Sequence, residues 1–367
     1  MPKSKVYFTD LHTTLQENLL EKLERLVRKA GMETIDFSNK FVAIKIHFGE
    51  PGNLAYLRPN FSKVIVDMVR RQGGKPFMTD CNTLYVGRRK NAVDHLETAY
   101  EHGYSPFSTG AHVIIGDGLK GNDDIEVPVH GDYIENAKIG RVIMDADILI
   151  SITHFKMHEA TGSGGVLKNL GMGCGSKSGK MEMHCNGKPD VDRNVCIGCG
   201  LCQKNCAHQA IAVKNKKAAI NANRCVGCGR CIGVCPSNAI NPTYNEAFDV
   251  LNRKIVEYAE AVIKDRPCFH LSFIIDVSHY CDCHGENDIP VVPDVGILAS
   301  FDPVALEQAC IDLINRQPIA RGSYLEKLER TGDYFNDVYP HTNWKVTIEH
   351  AVKRKLGNPD YELIDIH

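Results

Sequence analysis

The sequence predicts an α/β protein: a mostly parallel sheet with helices on both faces, carrying a small α+β insert. Three observations lead there. Short β-rich apolar runs alternate with amphipathic helical patterns on both sides of the chain's middle, as strand–helix–strand units do. The segment 188–243 breaks that alternation and is dense in cysteine. The length, 367 residues, suits two domains or one large domain with an insert. The simplest division is one α/β domain built from 1–187 and 244–367, whose two parts complete one core around an inserted 188–243. Two successive α/β domains are the alternative.

The elements follow in chain order. Phe41-Val42-Ala43-Ile44-Lys45-Ile46-His47-Phe48 is a β-rich apolar run. Pro59 opens a helical pattern of Phe61, Val64, Ile65, Met68 and Val69 that stops at Gly73-Gly74. The run from Lys75 to Asp80 is the next strand, a helix follows around Ala92 to Glu101, and a strand is expected from His112 to Ile115. Ile148 to Thr153 is apolar enough for a strand buried on both faces. Beyond the insert, Phe248, Leu251, Ile255, Tyr258, Ala259 and Val262 recur at helical spacing between Glu246 and Ile263. Strands are expected from Phe269 to Val277 and from Gly296 to Ser300. Asp302 then serves as N-cap with Pro303 at the first helical position.

Composition narrows the function. A hydrophobic share of 43% and a charged share of 24% exclude wholesale disorder. A net charge of −2 argues against a nucleic-acid surface or a polybasic membrane surface. Mean hydropathy is −0.23, and no apolar run reaches the roughly 18 residues a spanning helix needs. Val6-Tyr7-Phe8 is too short an apolar stretch for a signal peptide, so a cytoplasmic setting is expected. The outlying number is 15 cysteines. A chain this size needs no disulfide staples, and in a reducing compartment its cysteines read as metal ligands or redox groups.

Eight of the 15 fall in two identical C-x2-C-x2-C-x3-C runs: Cys196, Cys199, Cys202 and Cys206, then Cys225, Cys228, Cys231 and Cys235. The repeat period is 29 residues, and an alanine–isoleucine pair follows each run, Ala210-Ile211 and Ala239-Ile240. Three thiolates spaced two apart wrap one iron–sulfur cube, and the glycines between them supply left-handed backbone. The fourth cysteine leads away and ligates the other cube. Cys196, Cys199, Cys202 and Cys235 are therefore assigned to one 4Fe–4S cluster, and Cys225, Cys228, Cys231 and Cys206 to a second. This segment resembles the bacterial two-cluster ferredoxins over roughly 188–243. It departs from them at Ala207, where a proline matching Pro236 is expected. The competing reading is a pair of structural zinc sites. Between Asp190 and Ile240 lie seven basic residues and two acids, a surplus that either favours reduced clusters or is an ordinary set of solvated lysines, and that can also face an acidic partner.

The remaining cysteines are Cys81, Cys174, Cys185, Cys268, Cys281, Cys283 and Cys310. Cys268 and Cys310 sit in apolar segments and read as small buried hydrophobes. Cys281-Asp282-Cys283-His284 follows a strand, at the carboxyl end where α/β sheets place their sites. Other strand ends carry similar residues: His47; Asp80-Cys81; and His154-Phe155-Lys156-Met157-His158, whose histidines share a face if the segment turns helical. If these ends converge, the candidate catalytic residues are His47, Asp80, His154, His158 and Lys168. A second metal site would draw on Cys281, Cys283, His154 and His158. The bland alternative is a set of unrelated caps and turns.

The glycine-rich run from Gly162 to Gly175 either cradles an anion with help from Lys168 or permits close backbone packing. It is not a P-loop, because Ser176 stands where a glycine precedes the lysine. His184-Cys185 stands just before the insert, placed to link the pocket to the first cluster.

Four segments carry a wider resemblance: His47-Phe48-Gly49-Glu50, Gly164 through Gly171, Cys281-Asp282-Cys283, and Val292 through Ala305. In these the chain is similar to the iron–sulfur-centre family called domain of unknown function 362, over most of its length. The resemblance implies the cofactors, the inserted architecture and a cytoplasmic setting in bacteria or archaea. It implies no reaction. Three functions fit: a redox enzyme whose clusters serve a strand-end site, an electron carrier or adaptor for a partner protein, and a maturation factor using Cys281 and Cys283 as transfer ligands. The first is favoured, because some 300 residues of α/β scaffold exceed what a carrier needs. The absence of a G-x-G-x-x-G after a strand gives no support for NAD(P) or FAD.

Overall fold

The computed structural model describes residues 3–185, 188–244 and 246–366. Seven strands build the central sheet: β1 (Ser4–Thr9), β2 (Phe41–Ile46), β3 (Lys75–Thr79), β4 (Ile148–His154), β5 (Cys268–Ile274), β6 (Gly296–Ser300) and β7 (Tyr361–Asp365). Their order across the sheet is β7-β1-β6-β5-β4-β2-β3. Pairing is parallel throughout except at β6, which runs antiparallel to both β1 and β5. The expected mostly parallel α/β class is what the chain adopts.

Helices cover both faces. On one side lie α1 (Leu19–Lys29), α2 (Pro59–Arg71) and α3 (Ala92–Glu101); on the other lie α4 (Val166–Cys174), α5 (Phe248–Ile263), α6 (Pro303–Asn315) and α7 (Lys345–Lys353). The central strands feed both cores by simple alternation. Ile148, Ile150 and Ile152 of β4 join Phe269, Leu271 and Phe273 of β5 beneath α1 and α2, while Leu149 points into the opposite core. This two-sided burial is why these strands are legible as unbroken apolar runs.

Asp302 caps α6 as expected, accepting from the N–H groups of Val304 and Ala305 at 2.9 and 3.0 Å, with Pro303 at the first position. Its other oxygen accepts from Ser4 Oγ and from the Asn358 N–H, which ties β1 to the chain's last segment.

Three expectations need correction. The run from His112 to Ile115 is not a strand: a single parallel bridge, Val113 to Met78, forms before the chain turns in at Gly116. The strand expected through Val277 stops at Ile274, because Asp276 takes a left-handed φ of 48° that turns the chain away from the sheet. Strands β1 and β7 were not expected at all.

Between α4 and α5 the chain leaves the sheet. Strand Pro189–Val191 pairs antiparallel with Ile240–Pro242, and a hairpin joins Ile211–Lys214 to Lys217–Ile220. Left-handed glycines, Gly200 (φ 76°) and Gly229 (φ 66°), turn the chain into two short helices, Leu201–Asn205 and Arg230–Gly233. The segment's small core holds Ile211, Ala218, Ile232 and Ile240 together with Leu84, Met181 and Cys185 of the α/β body. Among the described residues, no helix is long and apolar enough to cross a membrane.

Candidate functional site

The eight clustered cysteines line two small hollows. Cys196, Cys199 and Cys202 share one with Cys235; Cys225, Cys228 and Cys231 share the other with Cys206. The fourth cysteine of each run thus lies with the opposite set. Backbone amides face the sulfurs: Ala218 N–H donates to Cys196 Sγ at 3.3 Å, Ala210 to Cys206 at 3.3 Å and Ala239 to Cys235 at 3.2 Å. Ala210 and Ala239 are the repeated alanines, and the isoleucine after each is buried in the segment's core. The alanine–isoleucine repeat therefore has a local cause: one residue donates to sulfur and the next packs beneath it.

A larger cavity of about 330 Å³ lies at the carboxyl ends of β2 to β5. It collects His47 beyond β2, Asp80 and Cys81 beyond β3, and His154, Lys156 and His158 at and beyond β4. Lys168 joins them from α4, and Cys281 and Cys283 from beyond β5. Every strand-end candidate singled out in the sequence lines this one space. Lys45, Arg89 and Lys180 also line it and were missed. His184 and Tyr244, on either side of the cysteine-rich segment, form part of its wall with rings edge to face at 5.2 Å. Cys185 faces the segment's core instead. Leu84 belongs to both, lining the cavity and packing in that core.

The wall is strongly charged, and most of its charges are paired. Lys45 Nζ lies 3.1 Å from Asp80 and donates to Asn169 Oδ1 at 2.6 Å. Buried Arg89 donates to Glu50 at 2.8 Å and meets His47 Nε2 at 3.0 Å. Burial works against the Asp80 carboxylate, yet Lys45, His95 and Arg89 hold its pKa below the ordinary value. For His47, burial and then the cations Arg89, Lys156, Lys45 and Lys168 push the pKa well below the ordinary value. Its ring is neutral across the physiological range and serves as an acceptor. Lys168 and Lys180 make no carboxylate pair among the described residues: Lys168 Nζ lies 3.9 Å from Cys281 Sγ, and Lys180 bonds to the carbonyl of Gly175.

The segment beyond β5 is fixed at its middle residue. The Asp282 carboxylate accepts from His154 Nδ1 at 2.9 Å and Lys156 Nζ at 3.0 Å, and its carbonyl accepts from the Glu50 N–H at 2.8 Å. Burial opposes ionisation of Asp282, but His154 and Lys156 hold its pKa well below the usual carboxylate range. His284 N–H closes a turn onto the Cys281 carbonyl at 3.0 Å. Both thiols then face the cavity, buried, beside His158.

His158, Cys281 and Cys283 place one donor atom each within 4.8 Å of the others, a set compatible with metal binding. His154 does not join them. Its Nδ1 binds Asp282 and its Nε2 meets the Ile275 carbonyl at 2.7 Å, so both ring nitrogens are engaged. The two histidines do not share a helical face either, because Lys156–His158 is a strand paired with Gly162–Gly164. The His158 Nδ1 accepts from the N–H groups of Ala160 and Thr161 at 3.1 and 3.3 Å. A neutral imidazole with that nitrogen as acceptor carries its proton on Nε2, 3.9 Å from Cys283 Sγ. Burial and then Lys168 push the His158 pKa down to about 4, so the ring stays neutral.

The glycine-rich run serves packing. A Cβ at Gly171 would lie 2.0 Å from the Ile255 carbonyl oxygen, so glycine is what lets α4 approach α5. The first amides of α4 are already taken: buried Glu307 accepts from Leu167 N–H at 3.1 Å and from Ser163 Oγ at 3.1 Å. An anion cradle there is excluded, since a carboxylate occupies it. Burial raises the Glu307 pKa to about 7 against the opposing pull of the Leu167 amide and Ser163.

A three-layer α/β scaffold, with a charged strand-end cavity and a cysteine-lined segment against its wall, defines the class. The chain belongs to the family described as domain of unknown function (DUF362), whose model matches residues 42–312. No curated protein matches it. Among solved structures, it is similar to a protein from Thermotoga maritima at 17% identity and a TM-score of 0.43, covering 82% of this chain and 59% of that one. It is also similar to the lactate racemase apoprotein of Thermoanaerobacterium thermosaccharolyticum at 9% identity and a TM-score of 0.42, covering 98% and 82%.

Proposed function

We propose that this chain is an iron–sulfur electron-transfer protein, a redox enzyme whose substrate occupies the strand-end cavity. The observation that carries the reading is the sorting of eight cysteines into two four-cysteine hollows with their fourth members exchanged. The residues suit two 4Fe–4S clusters: four thiols each, amide donors aimed at Cys196, Cys206 and Cys235, and left-handed glycines in each loop. Such clusters, when bound, supply single electrons. Leu84, which packs against the second cysteine loop and lines the cavity, supports a path from segment to cavity.

The chain's own residues prepare that cavity. His47 presents a neutral acceptor beside Arg89. Among the described residues Lys168 and Lys180 form no ion pair with a carboxylate, and their positive charge favours an anionic small molecule. Electrons would come from or go to a separate redox protein in a reducing, cytoplasmic compartment. Anaerobic purification followed by iron and sulfide analysis tests the reading. About eight irons with matching sulfide, and paramagnetic signals on reduction, are expected. Zinc without sulfide would overturn it.

A further inference from the structure

We propose that Cys281 and Cys283 are a redox-active dithiol that exchanges with small anionic disulfides entering the cavity. The proposal rests on the preceding section only for the source of electrons that reopens the pair. Four features support it. The turn closed by His284 holds the two residues a single position apart, where chain geometry keeps Cα atoms at about 5–6 Å, inside the span a disulfide bridges. Asp282 between them is locked by His154 and Lys156 on its side chain and by Glu50 on its carbonyl, so both sulfurs are held on the cavity side. The tautomer of His158, fixed by Ala160 and Thr161, makes its Nε2–H a donor toward Cys283 rather than a metal ligand. The two sulfurs lie within 4.8 Å of each other, with the His158 Nε2–H beside Cys283. Cys283 is the nucleophile on this account, and Cys281, with Lys168 at 3.9 Å, is the resolving thiol.

The exchange balances. The Cys283 thiolate attacks one sulfur of a disulfide RSSR; that S–S bond breaks and RS⁻ leaves, taking up the proton that Cys283 had given up. Cys281 then loses its proton and attacks the mixed disulfide, releasing the second RS⁻ as RSH and leaving a Cys281–Cys283 disulfide. Two electrons and two protons reopen it. Positive charge from Lys168 and Lys180 selects a substrate carrying carboxylates.

The test uses the whole protein, purified without oxygen and incubated at graded ratios of mercaptopropionate to its dianionic disulfide. Acid quenching, alkylation and mass mapping of the peptide holding both cysteines follow. The pair is expected to pass from doubly alkylated to internally bonded, with about 30 mV per tenfold change in the disulfide-to-dithiol ratio. The anionic disulfide should react about tenfold or more faster than the neutral disulfide of mercaptoethanol, and Lys168→Met should erase most of that difference. Cys283→Ser should abolish exchange while iron content stays that of the unaltered chain. Should that variant not fold, the titration of the unaltered chain decides alone. Two thiols alkylated at every ratio would overturn the proposal. So would thiols that react only after a chelator has removed a metal. Loss of the eight-iron content, with exchange intact, would overturn the preceding section and leave this one standing.

Discussion

Replacing Glu307 with glutamine isolates the cost of one buried carboxyl. Glu307 lies beneath the start of α4, the helix that presents Lys168 and Asn169 to the cavity. Its pKa is raised from 4.5 to about 7 by burial. An acid whose folded pKa exceeds its unfolded value binds protons more tightly when folded. The stability Glu307 contributes is therefore fully present below about pH 4.5 and is lost as pH rises toward 7. The displacement corresponds to about 3 kcal/mol, lost across that window. Glutamine keeps an oxygen to accept the Leu167 N–H and an NH₂ group to donate to Ser163, but it does not titrate. The stability of the unaltered protein relative to Glu307→Gln should therefore decline by about 3 kcal/mol between about pH 5 and pH 8. Anaerobic urea unfolding at a series of pH values reads this directly. Parallel curves, with a constant gap between the two proteins, would refute the reasoning.

Gly171→Ala drives a Cβ to 2.0 Å from the Ile255 carbonyl oxygen, so it should destabilise by at least about 1–3 kcal/mol, measured by the same unfolding curves. Asp282→Ala leaves His154 and Lys156 facing a buried vacancy; about 3–5 kcal/mol of stability should go, and Cys281 should become alkylated faster in the folded protein. Cys235→Ser should lower iron content by about half and leave one cluster signal, whereas Cys206→Ser should spare the other one, as read by paramagnetic resonance.

The legible parts of this fold share a physical trait. Strands β2, β4, β5 and β6 are buried on both faces, so their composition alone marks them. β1 and β7 are half-exposed, with Ser4 and Lys5 opening one and Glu362 and Asp365 within the other, and they pair with each other from opposite ends of the chain. The cavity was legible wherever His, Asp or Cys directly follows a strand. Lys45 carried a usable signal, since a lysine between Ile44 and Ile46 in a buried strand must find a partner, here Asp80 and Asn169. Arg89 had none: within Arg88-Arg89-Lys90 it looks like a solvated charge run, and only the fold shows it fully buried against Glu50. The glycine run could not be resolved from sequence, because an anion cradle and a close helix crossing ask for the same residue.

The position of β1 bears on synthesis. Its ladder partners are β6 and β7, with Tyr7 opposite Ala299 and Ser4 opposite Tyr361. A chain emerging from the ribosome therefore carries its first strand without a sheet partner until nearly all of it has been made. The cysteine-rich segment needs no such wait. Its stem, Pro189–Val191 on Ile240–Pro242, is complete before β5, Cys281 or Cys283 has been translated. If these cysteines hold the proposed clusters, iron and sulfide can be taken up on the nascent chain, while the neighbouring pocket still lacks the wall that Cys281 and Cys283 supply.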